Sequence, residues 1–146
     1  MLYLTGQHAL NLPCSLDTCG DWHTSALNWT NIQLADSDKM LFKEYGIEEH
    51  PKIPEHHGKF FVANHIRALL DLLEFGNFAV ARGMRNDYIC NSKYTAEIFN
   101  KVWQMKILKN WTDIDTFMSK EYLMQWVNYK KGRVSKHDRR LERTLI

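Results

Sequence analysis

From Val62 to Leu73 the chain sets Val62, Ile66, Leu69 and Leu73 at the i, i+4, i+7 and i+11 positions of one helix face, flanked by Leu70 and Leu72. Asn64, Arg67, Asp71 and Glu74 gather on the other side. The spacing therefore predicts an amphipathic helix that begins at Phe60 and stops at Gly76. Burying five or six aliphatic side chains contributes about 1.5–3 kcal/mol each before entropy is counted, so this helix organises the core. A chain of 146 residues is long enough to build such a core alone.

The other elements are arranged around that helix. Leu2 and Leu4, then Leu10 and Leu12, alternate on either side of Thr5-Gly6-Gln7, a period of two that predicts short strands or a hairpin. Pro13 to Asp21 is turn chemistry. Asp21 is placed to cap a brief helix through Trp22, Ala26 and Trp29, and Asp36 another that runs to Tyr45 and ends at Gly46. Residues 47–59, with two prolines and three histidines, read as an exposed connection. A short helix broken near Gly83 follows, then one opened by Asn91 or Ser92 with Tyr94, Ile98, Val102 and Met105 on one stripe. Thr112-Asp113-Ile114-Asp115 has the form of a capping box for a last helix stopped at Gly132. The expected fold is α+β, mainly helical with a short N-terminal β hairpin or small sheet. It comprises a compact domain over 1–129 and a basic arm over 130–146.

Charge is unevenly placed. Residues 130–146 hold seven Lys or Arg against two Asp or Glu, a net +5 in a chain whose total is +2. Such an arm touches polyanions or acidic protein surfaces, or is simply a solvated terminus. No apolar run is long enough for a membrane span, and the first residues lack the form of a signal peptide, so the expected location is cytoplasmic without membrane association. On that basis Cys14, Cys19 and Cys90 are expected as reduced thiols.

The densest polar cluster lies between Thr5 and Ser25. One reading makes it a zinc site, with Cys14, Cys19 and His23 as ligands and His8, Asp21 or Cys90 as the fourth, although a lone Cys-x4-Cys is not the usual knuckle. A second takes Cys14 or Cys19 as a nucleophile with His23 or His8 as base. The third is structural: cysteines as small apolar residues, Asp17 and Asp21 in turns and caps, and Trp22 and Trp29 as anchors. Convergence of His8, Cys14, Asp21 and His23 on a concave pocket would favour chemistry. His50, His56 and His57 read as a solvated loop, and His65 as a partly buried histidine. Motifs for nucleotide hydrolysis, dinucleotide redox chemistry, serine hydrolysis and zinc proteolysis are all missing.

Tyr3-Leu4-Thr5-Gly6, Gly20-Asp21-Trp22-His23 and the stretch from Val62 to Leu73 resemble small uncharacterised bacterial proteins found among mobile elements and defence loci. The resemblance spans most of residues 1–129 and carries no site residue; it implies an accessory role, antitoxin-like or inhibitor-like. Phe117, Met118, Tyr122, Leu123, Met124, Trp126 and Val127 project nearly all round the last helix, more than one packed face covers. The leading expectation is therefore a non-enzymatic protein without a cofactor that acts on a protein partner. Its contact residues would be Trp126, Tyr129, Lys130, Lys131, Arg133, Arg139 and Arg140, the basic ones also able to touch nucleic acid. The alternative is a thiol- or metal-dependent enzyme near Cys14, Cys19 and His23.

Overall fold

The computed structural model describes the backbone of residues 1–145 and the side chains of residues 1–134. Four short strands form one sheet: β1 (Leu2–Leu4), β2 (Leu34–Asp36), β3 (Ile47–His50) and β4 (Phe60–Ala63), in the order β2-β1-β4-β3. β1 pairs antiparallel with β2, Leu4 facing Leu34, and parallel with β4, Leu4 facing Val62; β3 and β4 are antiparallel. The fold is α+β and mainly helical, and the N-terminal strand belongs to a small sheet rather than a hairpin. Residues 6–10, part of the predicted alternation, form helix α1 (Gly6–Leu10).

The central helix is α2 (His65–Phe75). It begins later than predicted because Phe60–Ala63 is recruited into the sheet, and the Asn64 side chain caps it by accepting from the Arg67 amide at 2.8 Å. Gly76, at φ +80°, ends it in the left-handed conformation that favours glycine. α2 packs against α1, α3 (Phe78–Ala81) and α4 (Thr95–Gln104); its apolar face is buried, and so are Asn64, Arg67 and Asp71 of the supposed polar side, with Glu74 half-buried.

Arg67 and Asp71 are fully buried as an i,i+4 pair, 2.8 Å from Nε to Oδ1. Tyr3 and Thr5 hydroxyls each donate to the other Asp71 oxygen at 2.6 Å. The remaining guanidinium bonds reach the Lys43 and Tyr45 carbonyls and the Tyr3 hydroxyl. This cluster ties β1, the turn before β3 and α2 into one unit, each buried polar group having a partner as low-dielectric surroundings require.

Several boundaries differ from expectation for local reasons. Asp36 does cap, accepting from the Asp38 amide, but only a single 3₁₀ turn (Ser37–Lys39) follows. Part of the connection over residues 47–59 is strand β3. Asp21 caps no helix, because its carboxylate is held by Asn11 and His23. Two helices, α5 (Trp111–Tyr122) and α6 (Met124–Leu145), replace the single last helix, separated by Leu123 at φ +55°. The capping box is not used: α5 starts at Trp111, and Asp115 accepts instead from Trp126 Nε1 at 2.8 Å and Lys130 Nζ at 2.7 Å. Gly132 does not stop α6, so the expected boundary at residue 129 falls inside a helix. Among the described residues no helix is long and apolar enough to cross a membrane.

Candidate functional site

The loop from Pro13 to Asp21 is held down at its C-terminal end by two neighbouring amides. The Asp21 amide donates to the Leu10 carbonyl at 2.7 Å and the Gly20 amide to the Tyr88 carbonyl at 2.8 Å. Gly20 sits at φ +66°, and a Cβ there would stand 2.6 Å from the His65 ring and 2.8 Å from the Leu10 carbonyl. Only glycine lets the loop approach α2 this closely. Farther along, the Asp17 amide donates to the Tyr94 hydroxyl at 2.8 Å, and the Ser15 amide and hydroxyl donate to Glu48.

A disulfide completes the attachment. Cys19 is bonded to Cys90, which follows the π-helical turn Met84–Ile89, and both cysteines are exposed. The expectation of three reduced thiols is corrected for these two: bonded to each other, neither supplies a thiolate. Cys19 is thus neither the nucleophile nor the zinc ligand that its spacing suggested, and Cys90 is not the fourth ligand. Cys14 is free and half-buried.

Loop and helix enclose an open cleft of about 430 Å³ whose lining includes Leu12, Cys14, Thr18, Asp21, Trp22 and His65. Thr18 stands between the thiol and the imidazole in it. Cys14 Sγ is 3.7 Å from Thr18 Oγ1, and Thr18 Oγ1 is 2.6 Å from His65 Nδ1. His65 Nε2 lies 2.7 Å from the Leu12 carbonyl, which only accepts, so Nε2 carries a proton and Nδ1 is the atom left to receive one. His65 is 3% exposed, and its ring is fixed from both sides.

The electrostatics of the two groups are reciprocal. Burial pushes the Cys14 thiol up, but the neighbouring imidazole and backbone of His65 and the Leu16 amide outweigh it, so the thiol sits below its ordinary value. Burial likewise pushes His65 down, but Cys14, the Leu12 carbonyl and the Glu48 charge outweigh it, and the imidazole sits above its ordinary value. Both shifts favour thiolate facing imidazolium.

Two of the four residues whose convergence would favour chemistry line this cleft, Cys14 and Asp21. The others do not. His8 turns away: Nε2 donates to the Asn28 carbonyl at 2.9 Å and the ring meets Trp29 edge-on. His23 keeps its ring 76% exposed and paired with Asp21, while Asn11 holds its amide at 2.9 Å. Among the described residues no three His, Cys, Asp or Glu side chains are grouped to hold a metal ion. Sequence reasoning missed Thr18 as a link and placed His65 as an ordinary buried histidine; its separation from Cys14 left no local signal.

The residues expected to contact a partner fare differently. Trp126 is fully buried, packed edge-on against Phe99 and Trp111 and stacked with Tyr129, which corrects its reading as a surface contact. Tyr129 is half-buried and donates to Asn100 at 2.6 Å, and Arg133 bonds both of them. Lys130 is spent on Asp115, whereas Lys131 is exposed. The side chains of Arg139 and Arg140 lie outside the described residues. Compared with known proteins, the chain matches no family, no curated protein and no solved structure.

Proposed function

We propose that the chain is a thiol-dependent enzyme in which Cys14 is the nucleophile and His65 its base, working through Thr18. The observation that carries this reading is the sulfur–hydroxyl–imidazole chain opening into a cleft, with steps of 3.7 and 2.6 Å. As the thiol proton passes to Thr18 Oγ1, the Thr18 proton passes to His65 Nδ1. Cys14 is left as thiolate and His65 as imidazolium, and Thr18 remains a neutral alcohol. The Leu16 amide and the reoriented Thr18 hydroxyl then face the anionic sulfur. Attack on an electrophilic centre in the cleft forms a covalent bond to Sγ, and the proton held on Nδ1 is available to the leaving group.

The test is alkylation of Cys14 by iodoacetamide, followed by mass spectrometry as a function of pH. Because the thiol is depressed, its labelling should rise with a midpoint below that of a thiol in the unfolded chain; His65→Asn should move the midpoint up. Equal midpoints for folded, unfolded and variant chains would remove the proposal. In the cytoplasm expected from the sequence, where thiols are kept reduced, the Cys19–Cys90 bond would respond to redox conditions.

The binding reading retains one supporting observation: Trp22 is 83% exposed at the rim of the same cleft. An antitoxin-like or inhibitor-like contact there would be lost in Trp22→Ala and kept in Cys14→Ser, measured as complex formation with a protein encoded beside it.

A further inference from the structure

A second concavity, sharing no residue with the Cys14 cleft, opens between the end of α4 and helices α5 and α6. It measures about 590 Å³, and its lining includes Trp103, Lys106, Trp111, Val127, Lys131 and Val134. Trp103 and Trp111 meet edge to face with centroids 6.3 Å apart, and each is half-buried, so both give part of an indole to the groove. The exposed Lys106 ammonium stands 3.6 Å from the Trp103 ring centroid. The acid of the groove, Asp115, is already occupied, one carboxylate oxygen accepting from both Trp126 Nε1 and Lys130 Nζ. Among the described residues Lys106 and Lys131 pair with no carboxylate. The groove therefore has uncompensated positive charge over flat aromatic walls, at the point where the chain enters its basic last segment.

We propose that this groove binds single-stranded nucleic acid. A base stacks on the Trp103 indole, and the Lys106 ammonium now lying over that ring moves onto a neighbouring phosphate, with Lys131 taking the next. Every base has a π-face, and stacking on exposed aromatics beside a cationic track is how single strands are held without sequence readout. An acidic peptide would satisfy the lysines but leave both indoles uncovered, so charge and shape together favour the nucleic acid. The thiol reading plays no part in this argument.

The experiment titrates the full chain with a single-stranded oligodeoxythymidylate of about 15 nucleotides, with an abasic strand of equal length and polyglutamate as controls. The expected result is quenched tryptophan fluorescence and an affinity that falls linearly with log salt concentration. The abasic strand and the Lys106→Glu/Lys131→Glu variant should each bind about tenfold more weakly or worse. An unchanged unfolding temperature shows that the variant is folded; if it is not, Lys106→Gln and Lys131→Gln singly serve the same purpose. The proposal is overturned if polyglutamate binds as tightly as the oligonucleotide, which points to an acidic protein partner, or if the abasic strand binds equally well. It is equally overturned if the lysine variants bind unchanged, which leaves the contact to the end of α6 alone, or if no binding occurs at low salt.

Discussion

Two polar clusters touch α2, one formed by Tyr3, Thr5, Arg67 and Asp71 and the other by Cys14, Thr18 and His65. The first is sealed: all four side chains are fully buried, and both Asp71 oxygens accept from neighbours. The second is built as firmly on one side, with both imidazole nitrogens bonded, but its sulfur remains half-buried at the edge of a cleft. A closed circuit of donors and acceptors holds elements together and leaves nothing for a substrate. A circuit that ends on a sulfur at the edge of a cleft leaves one member within reach of outside molecules, and the thiol chemistry proposed above rests on that difference. Burial alone does not distinguish the two; what differs is where the chain of hydrogen bonds ends.

The largest effect should come from breaking the sealed cluster. Asp71→Ala leaves the Arg67 charge buried without its partner and should cost about 3–5 kcal/mol, read by urea denaturation. A loss below ~1 kcal/mol would mean that water reaches the cluster. Next comes the disulfide that fastens the loop carrying Cys14. Cys19→Ser with Cys90→Ser should cost about 2–4 kcal/mol of stability. The same pair of changes should speed alkylation of Cys14, since the loop over it is less constrained.

Thr18→Val keeps the shape of the link and removes its hydroxyl. One neutral hydrogen bond is worth ~1 kcal/mol, so the labelling midpoint of Cys14 should rise by somewhat less than one pH unit. No movement at all would show that His65 acts on the thiol without Thr18. The smallest effect is expected at Glu48, whose charge holds His65 up. Glu48→Gln should let the imidazole lose its proton at lower pH, visible as a downward shift of the His65 titration by NMR.

Periodicity revealed α2, its stop at Gly76 and the stripe of α4, because each is specified by residues within a few turns of one another. It did not reveal that Phe60–Ala63 is a strand, since pairing with Leu4 depends on residues nearly sixty positions away. The aromatic crowd around Trp126 looked like surplus surface because sequence gives no sign that Phe99 and Trp111, from α4 and α5, close around it. The break between α5 and α6 falls at Leu123, a residue that announces no turn. The Cys14–Thr18–His65 cluster was half legible. Cys14 stood out as a loop residue that could do chemistry, while His65 was hidden in the helix whose burial accounted for it.

Cys19 and Cys90 are separated by 71 positions, and Tyr3 reaches Asp71 across 68. As the chain grows, Tyr3 waits for Asp71 and Cys19 for Cys90, so at about 5–20 residues per second the loop that carries Cys14 is fastened only seconds after it is made.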